Sequence, residues 1–352
     1  MKILIVGAGI IGASLAFRLT RAGADVTVLE AATPAAGASG SSFGWINASF
    51  YADPSHHRLR VAGIAAHHRL QADLPGYSPN WQGTLWWEDQ GAGLDRKHAD
   101  LTALGYPAHI LTAADIRRAE PALTQAPTRA LHFPTEGATD AAALTHALLA
   151  ASGARLLTGI VATALIVAGG TITGVQGARG PLQADHIILA AGTATPALLR
   201  SAGMDLLLVP RPGLILRTNP VNVRLDHILV TPQHEIRQLP DGSLLTPCAA
   251  NHQGDTAETV PDPRAAAQAT IANLAALFGK VTEAETRLAH RPVPADGLPV
   301  LGRVAAGLSL AVMHSGVTLA PLAAEVLTAE IIGRGTDPLW GDYRPERLIR
   351  RL

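Results

Sequence analysis

The sequence predicts an α/β fold of Rossmann type into which a mostly antiparallel β-sheet domain, α+β in character, is inserted. Three observations carry this. Lys2-Ile3-Leu4-Ile5-Val6 reads as a buried strand and runs straight into Gly7, Gly9 and Gly12. A second apolar run, Val26-Thr27-Val28-Leu29, closes on Glu30. This completes the strand, Gly-rich turn, helix, strand, acid order of a dinucleotide-binding βαβ unit. Beyond it, helical and strand-like periods alternate in blocks, with α/β pieces at the start, middle and end of the chain and β-rich stretches between them.

Each residue type in the opening motif answers a physical need. Gly7 allows the tight turn, Gly9 lets a pyrophosphate approach the backbone, and Gly12 lets the helix pack closely on the sheet. Ala8, Ile10 and Ile11 occupy the turn and the first helical positions, where free N–H groups and the positive dipole end suit phosphates. Glu30, eighteen residues after Gly12, is placed to accept hydrogen bonds from adenosine ribose hydroxyls, with Ala31 beside it. The motif specifies an adenine dinucleotide without choosing between FAD and NAD.

Ala13, Leu15, Ala16 and Leu19 follow at helical spacing, and Gly23 ends that helix as a C′ glycine. The small-residue stretch 33–44 reads as a backbone-rich loop lying against a ligand rather than as a linker. Asp53-Pro54-Ser55 opens a helix reaching about Leu74. From 75 to 133, short strands such as Thr84-Leu85-Trp86-Trp87 mix with short helices, one of them capped by a Thr112/Asp115 box. Residues 140–152 are helical and 155–157 strand-like. Residues 163–167 and 172–176 form a hairpin around Gly169-Gly170. Residues 185–192 read as a buried strand ending in glycine, with a helix near 197–201. Strand-like alternation fills 205–250, broken by an Asp241-Gly242 turn, and an alanine-rich helix covers 262–278. A strand at 308–313, a break at Gly316 and a helix from Val317 to about Ile332 follow. The implied division is a discontinuous cofactor domain, 1–75, 134–205 and 290–352, and a substrate domain, 76–133 and 206–289.

Of 352 residues, 28 are Lys or Arg and 28 Asp or Glu, so the chain lacks the basic excess of a nucleic-acid binder. The single Cys248 excludes an intramolecular disulfide and reads as a small apolar strand residue. Residues 1–20 lack the charged leader of a signal peptide, and no run reaches the roughly 18 apolar residues of a membrane helix. The expectation is a soluble, cytoplasmic protein with no integral membrane segment. The 14 histidines, including His56-His57 and His67-His68, follow no metal-ligand spacing, so no metal is expected.

With these landmarks placed, the chain resembles the D-amino-acid oxidase superfamily of FAD enzymes, which includes glycine oxidase, sarcosine oxidase and D-amino-acid dehydrogenases. The resemblance runs nearly end to end on five segments in order. They are Gly7–Gly12 with Glu30; the loop 37–47, with Ser39, Ser41, Ser42, Gly44, Trp45 and Asn47; the hairpin with the strand ending at Ala190, Ala191 and Gly192; Arg291-Pro292 with Asp296-Gly297-Leu298-Pro299 and Gly302; and His314-Ser315-Gly316-Val317-Thr318, with a tail at Tyr343-Arg344-Pro345. The resemblance implies non-covalent FAD rather than NAD. By the same likeness, Val161 or its neighbour contacts the adenine through its backbone. Ser315, Gly316, Val317 and Thr318 would aim the start of the last helix at the flavin's N1–C2=O edge, where a reduced flavin gathers charge. Arg291 resembles the arginine that clamps a substrate carboxylate, a bidentate match of guanidinium and carboxylate, and touches the cofactor side too. Trp45 and Asn47 match positions on the substrate side of the ring, and His314 sits near the flavin.

Glu235 and Arg237, two apart on one strand, share a face. By analogy that face looks into the pocket, where several relatives place a tyrosine; Glu235 would pair with Arg237 or read a cationic group, and the plain alternative is a solvated strand pair. The resemblance implies oxidation of a C–N bond in an amino acid or N-substituted amino acid, by hydride transfer from Cα to flavin N5, giving an imine that hydrolyses to a keto acid. Oxygen or another acceptor would take the electrons. Of the three lysines, Lys2, Lys97 and Lys280, none matches the position where some oxidases of this group keep one, which favours a dehydrogenase. Rival readings are a same-fold enzyme acting on an opine, a cyclic imino acid or a modified RNA base, against which the neutral charge speaks, and a flavin-binding subunit of a larger complex.

Overall fold

The structure, a computed structural model, describes residues 1–123, 125–248 and 259–352; the end of the strand-like stretch expected at 205–250 lies outside them. Two large sheets organise the fold. In the first, six strands run in the order Val300–Ala305, Leu308–Val312, His186–Leu189, Lys2–Val6, Asp25–Leu29, Arg155–Leu157. All neighbours are parallel except the Val300–Ala305 pairing with Leu308–Val312. Parallel strands covered on both faces read as continuous apolar runs, which is why Lys2–Val6 and His186–Leu189 lack alternation. Ile3 and Ile5 face a helical layer built from Leu15, Ala16 and Leu19 of the helix Ile10–Arg21 and Leu319, Leu322 and Ala323 of the last helix, Gly316–Ile331. Leu4, Val6, Ile187 and Leu189 face the other way, onto Leu165, Ile172 and Val175 of a small antiparallel sheet. Each such buried Leu, Ile or Val contributes roughly 1.5–3 kcal/mol of transfer free energy.

That small sheet corrects one expectation. The hairpin Ala162–Ala168/Thr171–Gly177 gains a third strand, Gly180–Gln183. Its Gly-Pro opening hides it in the sequence, but proline is tolerated on a sheet edge.

The second sheet has eight strands in the order Glu283–His290, Pro212–Pro220, Ser243–Cys248, Glu235–Gln238, Ile228–Val230, Thr84–Trp86, Arg129–Phe133, His109–Thr112. It is antiparallel except where Ile228–Val230 meets Thr84–Trp86. Alternation sorts its side chains. Leu85, Leu216, Leu229, Ile236, Leu244 and Cys248 pack beneath the helix Pro263–Phe278. Trp86, Leu131, Val230 and Leu245 point to the opposite face and meet Phe43, Trp45, Ile46, Phe50 and Ile64, from the loop and helix that follow the first βαβ unit. Val230 is in register with Glu235 on one side and Trp86 on the other, so Glu235 and Arg237 share this inward face.

The helix expected from Asp53 spans Pro54–Asp73, with the Asp53 carboxylate accepting from His56 N–H. The Thr112/Asp115 capping box closes at the helix Ala113–Ala119. A second correction concerns the last helix. Its first residue is Gly316, and the chain reversal sits one position earlier, at Ser315, with φ +57°. Left-handed backbone at serine costs on the order of 1–2 kcal/mol, so something must hold it.

Candidate active site

The turn after the first strand is built by absence of side chains. Gly7 has φ +107°, and a Cβ there would lie 2.3 Å from Ala190 O; a Cβ on Gly12 would lie 2.0 Å from Gly7 O. Gly9 is different, since its Cβ would meet only the Ser39 hydroxyl, at 3.2 Å. That hydroxyl accepts from Ile10 N–H at 2.9 Å, folding the loop over the helix start. No acidic side chain occupies the first turn of Ile10–Arg21, so the dipole end with Ile11 favours an anion. Glu30 accepts from Ala8 N–H (2.8 Å) and Ala32 N–H (2.9 Å), which pins its carboxylate beside the turn, next to exposed Ala31. Ile160 N–H donates to Glu30 O at 3.1 Å. This sets half-exposed Val161 beside Glu30, its own carbonyl accepting from Ala178 N–H at 3.1 Å. Ala190 N–H donates to Val6 O at 2.9 Å, and Gly192 has φ +54°, so Ala190, Ala191 and Gly192 flank Gly7.

The starts of the first and last helices adjoin: a Cβ on Gly316 would be 3.7 Å from Ile11 Cδ1. Thr318, buried, donates to Trp45 O at 3.1 Å and accepts from Asn47 N–H at 3.3 Å. Val317 O lies 2.8 Å from His67 Nε2, whose Nδ1 is 2.6 Å from Tyr77 Oη. Ser41 ends a short 3-10 turn, Ala38–Ser41, and Ser42 Oγ accepts from Gly44 N–H at 3.0 Å. Gly44 (φ +76°) has no room for a Cβ, which would sit 2.0 Å from Thr139 O.

Facing these is a wall of charged groups. Glu136, fully buried, accepts from Trp45 Nε1 (3.1 Å), Ala48 N–H (3.2 Å), Ser49 N–H (3.0 Å) and Tyr106 Oη (3.0 Å). Glu235 is 8% exposed, and burial, then Glu88, push its carboxyl up to about 8 against the opposing pull of Arg291 and Arg60. Glu88 is also raised, by burial, although Trp86 Nε1 donates to it at 3.2 Å. Arg291 is held on backbone, Nη2 donating to Pro212 O at 3.2 Å and its N–H to Arg211 O at 2.8 Å. His314 is pushed down to about 3 by burial and then by the charges of Arg291 and Arg60, so it is neutral at ordinary pH.

Two expectations need correction. Glu235 and Arg237 are not a solvated pair, since both are buried, at 8% and 7% exposure. Nor does Arg237 turn its guanidinium to Glu235: it donates to Phe43 O (2.5 Å) and Thr139 O (3.4 Å) and lies 5.7 Å from the Phe43 ring centroid. It clamps the loop backbone that carries Gly44.

A family model described as FAD dependent oxidoreductase matches residues 2–330. The chain belongs to that family of FAD-dependent oxidoreductases. A D-amino acid dehydrogenase of Cereibacter sphaeroides is 26% identical over 99% of this chain and 96% of its own length. The bifunctional protein ThiO/ThiG of Trichormus variabilis is 27% identical over 99% of this chain, which spans only 55% of that relative. Among solved structures, glycine oxidase from Geobacillus kaustophilus shares the fold with a TM-score of 0.83 at 22% identity, covering 96% of this chain and 95% of its own. Iminodiacetate oxidase from Chelativorans sp. BNC1 does so at 0.84 and 24%, covering 97% and 98%.

The residues present fit FAD. Gly7, Gly9 and Gly12 keep a backbone cradle that a Cβ would narrow, and the Glu30 carboxylate is pinned beside it by Ala8 N–H and Ala32 N–H. Hydrogen bonds tie Trp45 and Asn47 to Thr318 of the last helix and Ser39 to the start of the first. Among the described residues, no helix is long and apolar enough to cross a membrane.

Three residues of this wall escaped the sequence. Arg60 is 4% exposed and donates to Asn47 O at 3.1 Å, to Asn47 Oδ1 and to Ser315 Oγ. Glu136 gathers the Trp45 loop. Lys97 Nζ donates to Ser49 O at 2.5 Å and lies 5.0, 5.3 and 5.9 Å from the ring centroids of Phe50, Tyr51 and Trp86, a cation–π box in which burial lowers its pKa. The signal available was weak: Arg60 and Lys97 sit at interior-facing helical positions and Glu136 in a turn between two strands, none of which sequence alone separates from exposed charges.

Proposed function

We propose that the protein oxidises the C–N bond of an amino acid or N-substituted amino acid, giving an imine that water hydrolyses to a keto acid with release of ammonia or, from an N-substituted substrate, of an amine. The observation that carries this is the placement of Arg291. Its guanidinium is anchored on the carbonyls of Arg211 and Pro212 and acts electrostatically on both Glu235 and His314, so a fixed cation stands between the sheet face and the start of the last helix. A substrate carboxylate fits that cation bidentately. Bound FAD supplies the two-electron acceptor. The chain's own part is positioning and exclusion of water: Trp45, braced by Phe43, Phe50 and Glu136, closes one side, and neutral His314 adds no competing charge. The segments 1–75, 134–205 and 290–352 would hold the cofactor, and 76–133 with 206–289 the substrate. The names of the relatives, all acting on amino or imino acids where their names state a substrate, support the reading, and oxygen or another acceptor would complete turnover. An opine or a cyclic imino acid fits the same groups as an alternative substrate.

The test is to add amino acids, N-alkyl amino acids and imino acids anaerobically to the yellow holoprotein and follow the flavin band near 450 nm. Bleaching by at least one class is expected. A protein that no such amine bleaches would instead be a flavin-binding subunit. Arg291→Ala should raise KM for a carboxylate-bearing substrate about 10- to 100-fold, in line with the loss of a charged hydrogen bond worth roughly 1.5–3 kcal/mol; an unchanged KM removes the clamp.

A further inference from the structure

A buried arginine that touches no acid at hydrogen-bond distance is unusual, because desolvation of the cation must be offset by something. The three hydrogen bonds found for Arg60 all go to neutral oxygens: the carbonyl and amide oxygen of Asn47, and the hydroxyl of Ser315. These belong to two segments far apart in sequence. Asn47 lies on the loop whose N–H meets Thr318, and Ser315 is the left-handed residue that launches the last helix. The helix carrying Arg60 comes unusually close to that helix start, because Gly63, one turn on, leaves room for Thr318 O only 2.7 Å from where a Cβ would be. A fixed positive charge is thus stored behind the N-terminus of the last helix, on the side where the helix dipole already favours an anion.

We propose that Arg60 is a positioning residue for the flavin: it holds the Asn47 loop and the strained Ser315 start in one geometry, and its charge adds to the helix N-terminus in favouring negative charge on the flavin's pyrimidine ring. Burial holds the guanidinium at about 10, still protonated at neutral pH. The inference rests on the reading that the last helix faces the flavin, and not on the identity of the amine substrate.

Sulfite tests it without turnover, since it adds reversibly to oxidised flavin through its sulfur electron pair and leaves a negative charge on the ring. In the FAD holoprotein, Arg60→Met should weaken sulfite binding at least tenfold and lower the two-electron midpoint potential in step, by about 30 mV for each factor of ten. Arg60→Lys, which keeps a charge in the same cavity and guards against a variant that does not fold, should stay within about threefold of the parent. Ser315→Gly removes the backbone strain, and in that background Arg60→Met should still lose its tenfold. Unchanged sulfite affinity in Arg60→Met, equal loss in Arg60→Lys, or full recovery in the Ser315→Gly background each overturns the role of the charge. Gly316→Val separates this from the underlying reading: if it also leaves the flavin spectrum and sulfite binding unchanged, the helix does not face the flavin; if it perturbs them while the Arg60 variants are silent, only the Arg60 role falls.

Discussion

The two sides of the site are made in opposite ways. The proposed nucleotide cradle is a property of backbone: Gly7, Gly12 and Gly44 sit where a single added carbon would strike a carbonyl at 2.0–2.3 Å. The proposed substrate side is a property of side chains, with Glu136, Glu235, Arg291 and Lys97 drawn from separate elements. A backbone site tolerates no added carbon, because the carbonyls it would strike, Ala190 O and Thr139 O among them, are fixed by the fold. A side-chain site accepts many residue types, provided that each buried charge keeps its partners.

This contrast breaks first at Gly12. Gly12→Ala should cost about 3 kcal/mol or more, because the methyl would strike the Gly7 carbonyl at 2.0 Å with the Ile5 side chain at 3.4 Å, and should yield colourless protein with a lowered unfolding midpoint. Gly9→Ala sharpens the point, since its only near neighbour is the end of the Ser39 side chain. Apoprotein stability should change little, while FAD affinity, measured by fluorescence titration, falls at least tenfold. If both variants behave alike, the glycines serve the fold and not the ligand.

On the other side, Glu136→Gln keeps the shape but offers an amide to four donors. At least one buried donor then loses its acceptor, at roughly 2 kcal/mol in denaturant unfolding, and KM should rise as the Trp45 loop loosens. Glu235 gives a pH signature. Its carboxyl is raised to about 8 in the fold from an ordinary 4.5, so between those values the folded protein holds a proton that the unfolded chain releases. Stability from this group is full below about 4.5, declines as pH rises and is gone above about 8. Glu235→Gln should remove that decline, gaining about 4 kcal/mol on the wild type at pH 8 and almost nothing at pH 4.5. An unchanged slope would mean that Glu235 is ionised throughout. The smallest effect belongs far from both sides: Thr112→Ala breaks a surface capping box, costing about 1 kcal/mol and leaving flavin binding and KM untouched.

The same contrast explains what could be read from the sequence. Turns that demand glycine announce themselves at fixed local spacing, so Gly7–Gly12, Glu30 and the strand ending at Gly192 were legible, as were the Asp53 and Thr112 caps. Ser315 was not, because nothing local marks a left-handed serine; the group that holds it, Arg60, is 255 residues away. Glu235 and Arg237 were correctly placed on one face by strand alternation, but their partners were not, since Arg237 finds Phe43 and Thr139 across the fold. Lys97 was passed over because its cage of Phe50, Tyr51 and Trp86 comes from two other segments. Periodicity reports which way a side chain points, not what it meets.

The order of strands in the first sheet carries a consequence for biogenesis. Lys2–Val6 lies in the middle of that sheet, while Leu308–Val312 completes it and Gly316 brings the last helix to Ile11. At ribosomal rates of roughly 5–20 residues per second, the first strand waits on the order of 15–60 s for the residues that finish its site. On the proposed reading of the site, a nascent chain holds FAD firmly only after Gly316 has been made, and fragments that stop before it should stay colourless.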